Sequence, residues 1–511
     1  MLKSISLENY KCFKEKTDIE IAPLTVLCGV NSSGKSSILK SLLMLKQTAE
    51  SNSSDGSIIF SGNLADCGTF QDVVCDNKYT YNNEFTITNR FEVNNHKLLN
   101  IGTFIKRQDA KDFNELRRMY FNVKGLITKF VFDIEIVVKS NKDSINEFSK
   151  YISNNIIKSY KIDISVYDDN GKIEGCNGYI KFEDRELRKI TNTPHYLTWD
   201  NIPGFAQATK KFKKYKCLCT FNGLFISNIF DYRMSNNIKS IIPNILSIFR
   251  IISNQYKGIY HIAPLRNVPE RTYVIRGNVD SVGLNGENTS ILLAKLKNVP
   301  VTTDMYCPYT NTLEINEYGY VVSDYHTIIQ QWLDYFEMEK LDVSGGDNGT
   351  VSLKVGSHNI ADIGFGMSQM LPIITQGIFL DKEQTLLIEQ PEIHLHPKME
   401  LQIADFLIRL AETGRNVIIE THSDYIKDRI IRRILEDDTR TLHEIISINF
   451  VENKQEDESN DMYSIVTPII IKDDEGIKVH PNEFFDQGAS EQLKIMRAGV
   501  LKRKKIRDNI I

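Results

Sequence analysis

The sequence has no CxxC pair among its eight cysteines, no apolar run of about 18 residues, and a formal net charge of only -4 over 511 residues. Each absence closes off a class of protein. The nearest cysteines, Cys217 and Cys219, have neither a second couple nor histidines at ligand spacing, which excludes a disulfide scaffold and a zinc ribbon and points to reduced thiols. No segment is long and apolar enough for a helical membrane span, and the opening MLKSISLENYKCF lacks the apolar stretch of a secretory leader, so a soluble, cytoplasmic protein is expected. The 62 basic and 66 acidic residues nearly cancel, so any contact with a polyanion has to be regional. Between residues 70 and 255 no a/d heptad pattern lasts three heptads, which excludes a long coiled coil there. What is present, 41% hydrophobic and 25% charged residues, suits a globular chain of two or three domains.

The first chemistry lies near the start. A β-rich run from Leu24 ends at Gly29, and the spacing of Ile38, Leu39, Leu42 and Leu43 predicts a helix beginning after Lys35. Between them Gly29, Gly34, Lys35 and Ser36 satisfy GxxxxGK[ST] at every defined position, with Asn31, Ser32 and Ser33 inside the loop and Ser37 following it. In such a loop the glycines let backbone N–H groups turn toward a β-phosphate. Lys35 brings a point charge to the β and γ oxygens, and the Ser36 hydroxyl is a ligand for Mg²⁺. ATP and Mg²⁺ are therefore the expected cofactors.

A P-loop needs an acid at a second strand end. Far downstream, Thr385–Glu389 is an apolar run that finishes in a carboxylate and breaks at Pro391, so Glu389 is the expected magnesium acid, acting through water beside Ser36. Before it stands a Gly-rich loop containing Gly364, Gly366, Ser368 and Gln369. After it, the run Val417–Ile419 leads into Glu420-Thr-His-Ser-Asp424, with His422 just beyond the strand end.

This order of motifs resembles the ABC/SMC/RecF class of ATPases and departs from AAA+ and RecA-like proteins. The resemblance implies an α/β P-loop head assembled from both chain ends, carrying an inserted α+β lobe without a long coiled coil. The expected divisions are an N-terminal half-head at 1–75, an insert at 76–255, a C-terminal half-head at 256–450 and a small segment at 451–511. It further implies that Gly364–Gln369 is the signature loop, with Gly366, Ser368 and Gln369 facing ATP held by a second protomer, so that the heads form a homodimer bridged by ATP. His422 matches the histidine that senses the γ-phosphate.

The blocks Ile5–Phe13, His261–Tyr273, Glu389–Pro397, Glu420–Asp424 and Asn482–Asp486 are similar to RecF/OLD-like bacterial ATPases, over perhaps half the chain. Within that group the likeness extends to the ATPases of the Septu anti-phage defence system, which act with an HNH nuclease partner; the alternative is a RecF-like repair ATPase that binds DNA and loads other proteins. The roughly 90 residues after His422 contain neither a DxD pair nor an HNH-like cluster, so any cutting is expected from another chain.

One departure bears on mechanism. The class carries a carboxylate directly after the magnesium acid to polarise water, and here that position is Gln390. An amide orients water but takes up no proton, so either Glu392 assumes that role or hydrolysis is slow; Glu392 capping the segment that follows is the competing reading. His394 and His396 read as supports for the segment between heads, since HxH on a turn lacks a further ligand. Arg266 and Arg271 fall where the chain returns to the head, placed either for nucleotide or partner contact or for a structural ion pair. The basic stretches Lys210–Lys216 and Lys502–Arg507 are candidate DNA contacts, each with a solvated surface as the plainer reading.

Overall fold

The chain opens with strands β1 (Leu2–Glu8) and β2 (Thr17–Glu20), then the predicted run forms β3 (Leu24–Gly29) and the predicted helix forms α1 (Lys35–Glu50). After the single-turn α2 (Phe70–Val73) come β4 (Glu84–Asn94), β5 (Ile127–Ser140), β6 (Asn155–Asp168), β7 (Gly171–Lys172), β8 (Gly178–Glu183), β9 (His195–Asp200), β10 (Tyr215–Asn222) and β11 (Phe225–Phe230). Helix α3 (Asn236–Lys257) leads back through β12 (Ile259–Ile262) and β13 (Tyr273–Val274) to α4 (Thr289–Leu296), β14 (Pro300–Thr303), β15 (Val321–Asp324) and α5 (Tyr325–Tyr335). Strands β16 (Leu341–Gly345), β17 (Thr350–Val355) and β18 (His358–Asn359) precede α6 (Phe365–Phe379), β19 (Thr385–Glu389), α7 (Pro397–Glu412) and β20 (Asn416–Glu420). The described part ends with α8 (Asp424–Glu436), α9 (Thr441–Ile445), β21 (Ile446–Gln455), β22 (Met462–Pro468) and a short hairpin. This computed structural model describes residues 1–54, 56–75, 84–94, 127–140, 155–172, 178–183, 195–200, 215–230, 236–275, 277–310, 321–345, 349–382, 384–455, 462–472 and 476–477.

Two large sheets organise these elements. A six-stranded sheet runs β12-β19-β20-β3-β21-β22, parallel except for β22. Residues 24–29 therefore lie between strands more than 380 residues away in sequence, and the head is built from both chain ends. The second sheet is antiparallel, in the order β11-β10-β9-β8-β6-β5-β4-β1-β2, with β7 beside β6. The described strands of the expected insert extend the sheet that β1 and β2 begin. The junction expected at residue 450 falls within β21.

The parallel strands are apolar on both faces for a structural reason. Leu27, Leu387, Ile418 and Val451 point into a core shared with α1, α3 and the antiparallel sheet. Their neighbours Leu24, Val26, Leu386, Ile388, Val417 and Ile419 point the other way, into a core with α6, α7 and α8. A strand covered on both sides reads as an unbroken hydrophobic run, which is what made these segments visible.

The sequence reads as an apolar helix from Asn244 to Ile252, just after Pro243, whereas α3 begins at Asn236 and carries Pro243 inside it. A proline there removes one backbone hydrogen bond, and the burial of Ile245, Ile248, Phe249 and Ile252 outweighs that loss. No described helix is long and apolar enough to cross a membrane.

Candidate functional site

The P-loop follows β3 and turns on two positions that require glycine. Gly29 has φ +133°, and a Cβ there would lie 2.1 Å from the Val451 carbonyl oxygen; Gly34 has φ +101°, with a Cβ 2.4 Å from Cys12 Sγ. Ser32 also adopts a left-handed backbone, φ 58°. No side chain caps α1 and no acid occupies its first turn, which leaves its N-terminus suited to an anion. The Lys35 ammonium is folded back on its own loop, donating to the carbonyl oxygens of Gly29 (3.1 Å) and Val30 (2.5 Å). Burial pushes its pKa below the ordinary lysine value.

A cleft of about 590 Å³ opens over this loop. Ser32, Ser33, Gly34, Lys35, Ser36 and Ser37 line one wall, with Lys11, Cys12 and Asp72 beside them, and Gln390, Glu420 and His422 close the other. Gly29 and Asn31 stand at the loop's start, outside the lining. The Ser36 hydroxyl donates to Glu420 Oε1 at 2.9 Å. Glu420 is 4% exposed, and its other oxygen, Oε2, is buried with no hydrogen-bond partner. Burial raises its carboxyl pKa above the usual range, against the lowering effect of Ser36 and Lys35, while Glu389 and Glu392 add to the rise. Partial desolvation and the charge of Lys35 lower the pKa of His422, which favours a neutral imidazole at the cleft edge.

The other sequence candidates gather just behind. Glu389 Oε1 lies 2.8 Å from His261 Nε2, and neither residue lines the cleft. Arg266, 6% exposed, donates from Nη2 to the carbonyl oxygens of Glu389 (3.0 Å) and Gln390 (3.3 Å), and burial pushes its pKa down to about 10. Gln390 has φ 45°, and its N–H donates to the Glu420 carbonyl at 2.7 Å, which ties the two strand ends together. Glu392 accepts from the Thr421 hydroxyl (2.8 Å) and the His422 N–H (2.7 Å), so it braces the turn after β20; burial raises its pKa.

The signature residues lie elsewhere. Ser368 and Gln369 are buried in the first turn of α6, where Ser368 Oγ donates to the Phe365 carbonyl at 2.8 Å. A Cβ on Gly366 would meet the His394 carbonyl oxygen at 3.3 Å. Ser368 borders a separate cleft with Asn267, Glu270 and Pro372, and no residue of 364–369 lines the P-loop cleft. His396 caps α7 through Nδ1, and Arg271 forms an exposed ion pair with Asp362. Among the described residues no group of three or more His, Cys, Asp or Glu is arranged to hold a metal by itself. Asn482–Asp486, Lys502–Arg507 and most of Lys210–Lys216 lie outside the described residues.

Sequence reasoning did not single out Glu420, Lys11, Cys12, Asp72 or His261. A signal for Glu420 existed: Val417–Glu420 repeats the pattern of Thr385–Glu389, an apolar run ending in a carboxylate. Nothing comparable marked Lys11 or Cys12, which β1 and its following turn bring over the P-loop.

A parallel sheet whose central strand feeds a P-loop, with acids and a histidine at the neighbouring strand ends, defines a P-loop nucleotide-binding head. The chain belongs to the AAA ATPase domain family, whose profile matches residues 1–267 and 302–426, and it is an ATPase. No curated protein matches it. Among solved structures it is similar to the SMC head domain from Thermotoga maritima, at 11% identity and TM-score 0.33, covering 92% of this chain and 99% of that one. A second is an SmcHead bound to the C-winged helix domain of ScpA, at 12% identity and TM-score 0.31, covering 92% and 98%. A third is an Smc head with an extended coiled coil bound to the C-terminal domain of ScpA derived from Pyrococcus furiosus, at 9% and 0.32, covering 92% and 96%. Likenesses this loose carry no inference about assembly or partners.

Proposed function

We propose that this ATPase works as a homodimer whose heads share ATP, and that its nucleotide state governs a partner nuclease in anti-phage defence, in the manner of PtuA of the Septu system. The observation that carries the dimer is the separation of Ser368 from Lys35 within one chain: signature and P-loop border different clefts, so a shared site needs a second copy. Residues 1–75 and the segment from 256 through β22 supply the two halves of that head.

On binding, Lys35 exchanges the carbonyls of Gly29 and Val30 for phosphate oxygens, while Asn31 to Ser37 cradle the phosphates. The site also fits Mg²⁺, because Glu420 Oε2 is a buried oxygen lacking a partner beside the Ser36 hydroxyl. Bound with ATP, Mg²⁺ supplies charge neutralisation at the β and γ oxygens. Ser36 would hold it directly, with the strand-end carboxylate of Glu389, by the sequence pattern, acting through water. Gln390 orients the attacking water and His422 faces the γ-phosphate. With an amide at 390 and Glu392 bracing the turn, proton uptake is weak, which suits a slow, triggered switch. DNA contact through Lys210–Lys216 belongs to the same reading.

The test is recovery of the full-length protein from its native host, with identification of what accompanies it. An HNH nuclease that co-purifies stoichiometrically, and whose loss abolishes protection against phage, supports the reading. Absence of any nuclease, together with rescue of a recombination defect, replaces it with RecF-like repair.

A further inference from the structure

A buried cation grips the end of β19. The pairing of β12 with β19 stops at Ile262 and Ile388, and the chain just past β12 buries Arg266 while Leu265 and Val268 beside it are exposed. Arg266 Nη2 donates to the carbonyl oxygens that follow on β19 and its turn, those of Glu389 at 3.0 Å and Gln390 at 3.3 Å. We propose that Arg266 is a positioning residue for ATP hydrolysis: by holding these two carbonyls it keeps the Gln390 amide aimed at the attacking water. The inference rests on the water-orienting reading of Gln390 given above.

Three observations carry it. Gln390 has a left-handed backbone, φ 45°, which a residue with a side chain keeps only where its surroundings impose it. Its N–H is tied to the Glu420 carbonyl at 2.7 Å, and the Arg266 clamp holds its C=O. With both ends of the residue fixed, its side chain leaves in a set direction, toward the cleft it lines. Next, Arg266 is buried but forms no ion pair among the described residues: Nε and Nη1 have no hydrogen-bond partner, and Glu392 and Glu389 offset its charge without bonding it. A guanidinium kept for stability alone would be paired or replaced by an apolar side chain, whereas one whose hydrogen bonds all go to two main-chain carbonyls fixes where they lie. Finally, the clamp is itself anchored. Ala263 N–H donates to the Leu284 carbonyl at 2.9 Å and Asn267 N–H to the Asn285 carbonyl at 2.8 Å, so the segment carrying Arg266 is held on both sides of it.

The experiment measures single-turnover ATP hydrolysis and equilibrium ATP affinity on the full chain for wild type, Arg266→Met, Arg266→Lys, Gln390→Ala and the double variant Arg266→Met with Gln390→Ala. Methionine keeps the apolar stem and removes the donors. Arg266→Met lowers the hydrolysis rate by about tenfold to a hundredfold, the scale of an ~1 Å misplacement at a reacting centre, and leaves ATP affinity within about threefold. Arg266→Lys keeps the charge and a donor and recovers part of the rate. In the Gln390→Ala background Arg266→Met costs nothing further, because its effect passes through that side chain. A full rate in Arg266→Met, or losses that multiply in the double variant, overturns the proposal. Should Arg266→Met fail to fold, the same cycle is run with Arg266→Lys, whose smaller loss also vanishes without Gln390; no loss, or one that persists without Gln390, overturns it. A Gln390→Ala protein that hydrolyses ATP at the wild-type rate defeats the water-orienting reading of Gln390 instead.

Discussion

The ends of β19 and β20 carry the same local message and do different things. Each is a five-residue strand with three apolar residues in a row that finishes in glutamate, each glutamate sits at the C-terminal edge of a parallel sheet, and the two are directly paired. Yet one carboxylate meets a buried histidine and the other meets the P-loop serine. An apolar run ending in an acid locates the functional edge of an open α/β sheet. It does not say what each acid meets, because that depends on which strands flank it, a property of the order of strands contributed by both chain ends.

The largest predicted effect breaks the shared surroundings of both acids. Lys35→Ala lowers ATP affinity by about a hundredfold or more, the scale of a lost charge-assisted contact in a partly desolvated site, with the fold preserved by near-ultraviolet dichroism. Ser368→Glu retains nucleotide capture, because Ser368 borders the other cleft, and loses turnover through repulsion of phosphate across the dimer. Mixed together, the two inactive proteins form one intact shared site, with Lys35 from the second and Ser368 from the first, and phosphate release recovers in part. Wild-type turnover by Ser368→Glu alone would remove the shared-site arrangement.

A second prediction sharpens the contrast at the turn joining the strand ends. Gln390→Glu puts a carboxylate on the cleft wall in place of an amide and raises steady-state phosphate release by about tenfold or more, within the range of general-base contributions. The new acid joins Glu420 at the cleft, and like charges resist ionising together, so the gain grows as pH rises from 6 to 8. Unchanged turnover with unchanged binding refutes the water-orienting position of residue 390.

Most of the head was legible because its physics is local or nearly so. Gly29 and Gly34 are forced by left-handed backbone and close neighbours, and the both-faced burial of β3, β19 and β20 writes itself as continuous apolar runs. What stayed hidden is non-local. Nothing in Val417–Glu420 says that it lies beside β3. Nothing in the P-loop announces that Gly34 packs under Cys12 or that Lys11 overhangs the cleft. The early start of α3 was hidden for a similar reason, since only the core that its apolar face enters stabilises a helix across Pro243.

The smallest predicted effect tests the same comparison in the absence of nucleotide. Glu420 has its pKa raised in the folded protein, chiefly by burial, above the ordinary carboxylate range. The folded state therefore holds this proton more tightly than the unfolded chain does. Its contribution to stability is fully present below about pH 4.3, and it is lost as pH rises through the folded-state pKa. Glu420→Gln cannot ionise, so at neutral pH the ligand-free variant is more stable than wild type by roughly 1–3 kcal/mol, the range for relieving a buried polar group without a partner. The difference closes as pH falls toward 4.5, although Glu392, raised for the same reason, keeps part of the pH dependence in both proteins. Glu389→Gln, which only exchanges one partner for His261, shows no such gain. Thermal unfolding of the three ligand-free proteins from pH 5 to 8 measures these differences, and a Glu420→Gln variant less stable than wild type at every pH would mean that its side chain is held by contacts rather than strained by burial.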